Sequence, residues 1–283
     1  MPSDAAMVSV VIPVYRSEAY LARTVAEVVA FLSPKRPFEI VLVNDGSPDN
    51  VQQVIAGLAT QDPRVRFIEL GTNGGQHAAI LRGFAECKGD VVLTLDDDGQ
   101  NPPASGWACL EELERKDLDV CYGRFAKVEQ HGVRKLASAM NGWLTQQTLG
   151  NRSDVTLSNV RALRGDLARA LGQAYAPFPY IDAMLFRSTR RIGDTPVEQR
   201  PRDDGASTYS TRKLVTLWIS HLTSLTTLPL KAASFGCFGA SVFGLVLGIA
   251  QLVRVLISQK APPGWLSLFL AVTFLFSLLF AFL

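Results

Sequence analysis

Three consecutive carboxylates, followed by a glycine and an amide, occupy residues 96–100. The segment LDDDGQNPP directly follows the apolar residues VVLTL, which are typical of a buried strand. If the chain stays extended there, Asp96, Asp98 and Gln100 share one face, because alternate residues of a strand point to the same side. Their carboxylate and carbonyl oxygens suit a hard cation such as Mg²⁺ or Mn²⁺. A solvated acidic turn is the alternative that these residues alone leave open.

Four apolar runs that alternate with helical patterns predict the sheet that positions these carboxylates. The runs are VSVVIPV, FEIVLVN, VRFIEL and VVLTL, which begin at Val8, Phe38, Val65 and Val91. Strands separated by helices form a mainly parallel sheet, and ligands bind beyond the carboxyl ends of its strands. No Gly-x-Gly-x-x-Gly follows the first run and no Walker lysine motif occurs, which argues against a dinucleotide or P-loop site.

Charge is distributed unevenly along the chain. All 26 acidic residues and 23 of the 28 basic residues lie within residues 1–204, and the remaining tail carries only basic charges. The tail contains two uncharged stretches of about the 20 residues that cross a bilayer core. They predict a transmembrane hairpin over residues 231–283, with helices at 232–257 and 265–283. Two buried core helices are the weaker alternative, because neither stretch has a polar face.

Basic residues predict the orientation of this hairpin. Most of those near the membrane precede the first stretch, so residues 1–212 are expected to form a cytoplasmic domain on the cell inner membrane. Residues 213–230 predict an interfacial amphipathic helix, and we expect no signal peptide and no nucleic-acid partner. Small residues recur every four positions, which favours close packing within the hairpin or a homo-oligomer; they are Gly236, Ala240, Gly244 and Gly248.

Beyond the carboxylates, two further elements are expected. Residues 107–114 predict a helix, and residues 118–123 predict an edge strand that leads into Arg124.

Four motifs, in order and spacing, resemble the family 2 glycosyltransferases with the GT-A fold. They are PVYRSEAYL, NDGSPDN, NGGQHAAILRGF and LDDDGQNPP. With the hairpin, the last two resemble more narrowly the polyprenyl-phosphate glycosyltransferases that act on bactoprenol, undecaprenyl or dolichol phosphate. The resemblance implies a Rossmann-like α/β domain and inverting transfer from a nucleotide-sugar, with a UDP-sugar favoured. It also implies a polyprenyl phosphate acceptor in the bilayer and Mg²⁺ or Mn²⁺ as cofactor.

The resemblance further implies roles for matching residues. The expected contacts to the nucleotide-sugar are Pro13, Tyr15, Asp45, Gly75, Gln76, Asp96 and Asp97, and the expected metal ligands are Asp98 and Gln100. The residues expected to act in transfer or on the acceptor phosphate are Asp96, Asp98, Arg124, Arg134, Asp154, Arg161, Arg202 and Ser207. Four positions depart from the family pattern, namely Arg16, Asn44, Val160 and Thr208.

Other functions remain open at this point. A glycosyltransferase acting on another membrane acceptor shares all of these features. A processive polysaccharide synthase needs a longer membrane channel and a Gln-x-x-Arg-Trp motif, and the sequence has neither. A non-catalytic membrane scaffold with a sugar-nucleotide fold is disfavoured by the intact Asp96, Asp98 and Gln100. Transfer of a sugar to polyprenyl phosphate is therefore the favoured function.

Overall fold

The computed structural model describes residues 6–125, 155–174, 179–200, 228–258, 264, 267–269 and 271–275. The chain divides into two compact units, Met1–Thr208 and Tyr209–Leu283. The first unit is an α/β domain and the second contains a long apolar helix.

The described part of the first unit contains a sheet and six helices. Its strands are β1 (Val8–Val14), β2 (Phe38–Asn44), β3 (Val65–Glu69), β4 (Val91–Thr94), β5 (Val120–Phe125), β6 (Arg161–Arg164) and β7 (Ile192–Val197). Its helices are α1 (Leu21–Leu32), α2 (Val51–Gln61), α3 (Gln76–Glu86), α4 (Pro103–Arg115), α5 (Gly165–Gln173) and α6 (Ile181–Ser188). Helix α4 begins four residues before the predicted start, because proline suits the first helical position, where its missing N–H needs no partner.

The strands form one sheet in the order β3-β2-β1-β4-β6-β5-β7. Strands β1 to β4 pair in parallel, β6 is antiparallel to both of its neighbours, and β7 is parallel to β5. The prediction of a mainly parallel sheet is therefore confirmed. The prediction that residues 118–123 form an edge strand is wrong, since β5 lies between β6 and β7. Both neighbours come from later in the chain, where short strands with charged residues have little apolar signal.

Both faces of the sheet are covered by helices. Every residue of β1 and β2 is buried, as the continuous apolar runs require when a strand has no solvent-facing side. Helices α1, α2 and α4 cover one face, and α3, α5 and α6 cover the other. Helices α3 and α5 pack closely, because a Cβ atom on Gly172 would lie 2.3 Å from the backbone nitrogen of Ala85. The contact lies near the C-terminal end of α3.

The second unit contains helix α7 (Leu228–Ser258). Its segment Ala233–Val255 is long and apolar enough to cross a membrane, judged by length and composition, and is the single such helix among the described residues. In the second predicted span, residues 267–269 and 271–275 are helical. A Cβ atom on Gly248 would lie 3.4 Å from Thr273 Cγ2, so helix α7 and residues 271–275 approach each other closely. The hairpin as a whole, the interfacial helix and a homo-oligomer stay predictions.

Candidate active site

The loops that follow β1, β2 and β4 meet at one edge of the sheet, because β1 lies between the other two strands. Tyr15 follows β1 and is 42% exposed, whereas Asp45 follows β2 and is 3% exposed. Asp96 begins the carboxylate loop after β4. Pro13 is buried inside β1, opposite Val43 of β2. The edge thus brings together most of the residues that were expected to contact the donor.

The carboxylate loop is a turn. Strand β4 ends at Thr94, Gly99 adopts a φ of +71°, and the Gln100 N–H donates to Asp98 Oδ1 at 3.0 Å. The expectation that Asp96, Asp98 and Gln100 share the face of an extended strand is therefore wrong. Glycine accepts the left-handed conformation without steric cost, so it lets the chain turn immediately after the strand. The turn keeps the three carboxylates close together instead of spreading them along one face.

Three side-chain amides surround Asp96. Gln76 Nε2 donates to Asp96 Oδ1 at 2.8 Å, and Asn101 Nδ2 donates to Asp96 Oδ2 at 2.7 Å. The side-chain amide of Asn159 lies beside this carboxylate and lowers its pKa. Burial and then the charges of Asp98 and Asp97 raise the pKa of Asp96 to about 6. Gln76 was expected at the donor site, whereas Asn101 and Asn159 were not, although Asn101 lies within the motif LDDDGQNPP.

Asp97 faces the loop after β1. Its Oδ2 accepts the Tyr15 N–H at 2.9 Å. Burial is the main cause that raises the pKa of Asp97, although the hydrogen bond from the Tyr15 N–H opposes it. Arg16, which follows Tyr15 in the chain, adopts a φ of +57° and donates its N–H to Ser47 Oγ at 2.7 Å. Asp97 therefore joins the carboxylate loop to the Tyr15 loop, which in turn is joined to the loop after β2.

Asp45 shapes the turn that opens helix α3. Its two carboxylate oxygens accept the N–H groups of Gly74 and Gly75 at 2.7 and 2.9 Å. Gly75 has φ +84° and ψ 161°, a conformation that is almost confined to glycine. The turn ends at Gln76, the first residue of α3. Asp45 therefore helps to place the amide that binds Asp96.

The amide at position 44, where the family often has aspartate, has both of its halves paired. Asn44 Nδ2 donates to Glu69 Oε2 at 2.7 Å, and Asn44 Oδ1 accepts the Ser47 N–H at 3.1 Å. A carboxylate could not donate to Glu69, so asparagine fits this position for a structural reason.

Arg161 lies in β6, with Thr94 of β4 and Tyr122 of β5 as its register partners. Its side chain is 1% exposed, and Nη1 donates to Asp182 Oδ1 at 2.7 Å. The Tyr122 hydroxyl donates to the same oxygen at 2.8 Å. Burial and then the Asp182 charge raise the pKa of Tyr122. Arg161 is thus enclosed by protein groups that the sequence patterns did not identify.

The remaining predicted residues are placed only in part. Arg124 follows on β5, is about half exposed and forms an ion pair of 3.5 Å with Asp194. The residues outside the described part of the chain are Arg134, Asp154, Arg202 and Ser207. Arg200 contacts the carboxylate loop, because its N–H donates to the Gln100 carbonyl at 2.9 Å. The Arg200 guanidinium also binds Glu27 of α1 at 2.7 Å.

The carboxylate loop fits a divalent cation. Asp96, Asp97 and Asp98 lie in one turn, and their burial and mutual repulsion raise the pKa of the first two. A divalent cation would offset this negative charge. In the part of the chain that the structure describes, no three His, Cys, Asp or Glu side chains form a metal cluster. Asp98 and Gln100 would therefore hold the ion together with water or phosphate oxygens, as Mg²⁺ sites on phosphorylated substrates usually do.

Comparison with known proteins identifies the family. Residues 9–163 match the model of Glycosyl transferase family 2. The undecaprenyl-phosphate 4-deoxy-4-formamido-L-arabinose transferase of Edwardsiella ictaluri is 34% identical over 285 residues, which cover 98% of this chain and 84% of the relative. The transferase of the same name from Proteus mirabilis is 34% identical over 274 residues, covering 95% and 83%.

A solved structure has a similar fold. Glucosyl-3-phosphoglycerate synthase from Mycobacterium tuberculosis, in complex with Mn²⁺, UDP-glucose and phosphoglyceric acid, has a TM-score of 0.55 and 15% identity. The similarity covers 78% of each chain. At this identity it shows the fold alone. The family model and the two relatives carry the assignment further: this chain belongs to glycosyl transferase family 2 and is a glycosyltransferase.

Proposed function

We propose that this glycosyltransferase moves a sugar from a nucleotide-sugar, with a UDP-sugar favoured, to undecaprenyl or a related polyprenyl phosphate. One observation carries the proposal: a family 2 domain with an intact carboxylate loop is followed in the same chain by α7, which has the length and composition of a membrane span. The names of the relatives support undecaprenyl phosphate as acceptor. They also make a formamido-arabinose donor the first sugar to test.

In this proposal, the loops after β1, β2 and β4 bind the donor. The exposed ring of Tyr15 offers an apolar surface for the base, and its backbone is held by Asp97. Asp96 accepts a hydrogen bond from the donor. The three loops are joined by hydrogen bonds before the donor arrives, so little ordering is needed when it binds.

Asp98 and Gln100 are proposed to hold Mg²⁺ or Mn²⁺, and the ion supplies positive charge for the diphosphate that leaves. The acceptor phosphate has a second pKa of about 6, as phosphate monoesters do, and is largely anionic at pH 7. It therefore attacks without needing a strong general base. Attack on the anomeric carbon from the side opposite the diphosphate inverts that centre. The partly exposed Arg124 is suited to orient the phosphate, because a guanidinium donates two parallel hydrogen bonds to its oxygens.

The function is tested with purified protein, a panel of UDP- and GDP-sugars, undecaprenyl phosphate and Mn²⁺ or Mg²⁺. Lipid-linked sugar is measured by mass spectrometry. Asp98→Asn should lower transfer by about 100-fold or more, because a ligand to the ion and its charge are lost. Glu86→Gln is the matched control, since Glu86 is a half-exposed carboxylate on α3 that pairs with Arg82. Transfer that persists at the normal rate in Asp98→Asn, or in the presence of a chelator, would contradict the metal assignment.

A further inference from the structure

Asn101 is a buried residue that uses only half of its amide. It is 3% exposed and lies between the carboxylate loop and α4. Its Nδ2 donates to Asp96 Oδ2 at 2.7 Å. Its Oδ1 is also buried, and no group in the described part of the chain donates to it.

This arrangement is poor for stability. A buried carbonyl that has lost its water and gained no donor is unfavourable, and an apolar side chain of similar size would avoid that penalty. Asn44 provides a comparison within the same edge of the sheet, because it is equally buried but both halves of its amide are paired. Because one half of the Asn101 amide is unpaired, we infer that the role of this amide is its single hydrogen bond to Asp96.

The amides around Asp96 come from separate parts of the fold. Gln76 opens α3, Asn101 precedes α4, and Asn159 precedes β6. A carboxylate has about four lone-pair positions, and Gln76 and Asn101 occupy one on each oxygen. The two amides fix the rotation of the carboxylate and leave lone pairs free to accept from a hydroxyl group.

We propose that Asn101 is a positioning residue of the donor site. With Gln76, it holds the Asp96 carboxylate so that a remaining lone pair meets a hydroxyl of the donor nucleotide. Asn101 itself does not touch the substrate. The inference rests on the proposed function, because it assumes that the edge beside Asp96 binds a nucleotide-sugar.

The test compares the full-length wild-type protein with Asn101→Leu, which keeps the side-chain size and removes the amide. Calorimetry with UDP and with GDP, each with Mn²⁺, should show a Kd about tenfold higher or more for the nucleotide that the wild-type protein binds. The donor KM should rise while the polyprenyl phosphate KM stays within about twofold. The midpoint of thermal unfolding should fall less than in Asn44→Leu, because only one partner, Asp96 Oδ2, loses its donor. Asn44→Leu, the matched control for stability, should lower that midpoint because it leaves two partners unpaired.

The outcomes separate this inference from the proposed function. If the wild-type protein binds nucleotide but forms no lipid-linked sugar, the proposed function fails and the Kd values still decide the role of Asn101. If sugar is transferred but Asn101→Leu keeps the wild-type donor Kd and KM, the inference alone is overturned. Binding of neither nucleotide to the wild-type protein also overturns it. Should Asn101→Leu fail to fold, Asn101→Ala replaces it, because alanine also lacks a donor and is too small to clash with its neighbours.

Discussion

The buried pair of Arg161 and Asp182 gives the sharpest prediction for stability. The Arg161 side chain is 1% exposed, and its Nη1 lies 2.7 Å from Asp182 Oδ1. Asp182→Ala would leave the guanidinium charge enclosed without a counter-charge, and the Tyr122 hydroxyl would lose its acceptor. We expect the protein to lose most of its stability margin.

The expected size follows from this burial. Removing one partner of a buried ion pair costs about 3–5 kcal/mol, because the remaining charge is desolvated and uncompensated. The Tyr122 term is not simply additive, since both donors share one oxygen. For a domain of this size, each kcal/mol of lost stability lowers the melting temperature by about 2–4 °C. Asp182→Ala should therefore melt about 6–20 °C lower than the wild type.

Thermal unfolding followed by circular dichroism measures this change. The control is Glu86→Ala, which removes a half-exposed ion pair and should cost less than about 1 kcal/mol. The double variant Arg161→Met with Asp182→Leu should recover most of the loss, because no charge is then left unpaired. A melting temperature unchanged in Asp182→Ala, or a double variant as unstable as the single one, would refute the argument. A double variant that folds but transfers no sugar would support a direct role for Arg161.

Three further predictions concern the supporting structure. Burial alone would raise the pKa of Glu39, but hydrogen bonds from Lys88 N–H, Arg66 and Ser9 lower it. The stabilisation from Glu39 is therefore present above the unfolded-state pKa of about 4.3 and is lost as the pH falls through the lower folded-state pKa. Glu39→Gln should cost about 1–3 kcal/mol at pH 7 and progressively less below pH ~4, as measured by urea unfolding across pH, and a constant difference would contradict this. Gly172→Ala should cost about 1–3 kcal/mol in the same assay, because its Cβ would meet the α3 backbone. Gly57→Ala is the control and should not destabilise the protein, because the space around Gly57 is open. Gly75→Ala should cost about 1–3 kcal/mol and raise the donor KM, because the φ of +84° is strained for alanine. A donor KM equal to that of the wild type would show that Gly75 is not part of the donor site.

The position of Arg161 also bears on its expected role. Its Nη1 donates to Asp182 Oδ1, and its guanidinium carbon lies 5.4 Å from the centre of the Tyr122 ring, so the charged group is held within the fold. Of the two arginines, Arg124 is more exposed than Arg161 and is better placed to meet a phosphate from solvent. The direct role of Arg161 on the acceptor stays a prediction.

The sequence by itself determined the first half of the α/β domain and the location of its site. Apolar runs such as VSVVIPV predict buried parallel strands, because only a strand covered on both faces excludes polar residues completely. Parallel strands also bring their carboxyl ends to one edge, so the chain order alone places Tyr15, Asp45 and Asp96 together. The resemblance to family 2 glycosyltransferases is confirmed, as is the assignment of the chain as an enzyme.

Tertiary structure alone decided the partners of these residues. The interior position of β5 depends on pairing with β6 and β7, and no local pattern specifies a partner that lies tens of residues away. The same holds for Gln76 and Asn101, which bind Asp96 from separate parts of the fold, and for Asp182, whose partner Arg161 lies in another element. Periodicity reports which face of an element is buried, but a hydrogen bond between elements depends on side-chain positions that only packing fixes. The carboxylate loop illustrates both limits: its location followed from the sequence, while its turn and the fixed Asp96 carboxylate required the fold.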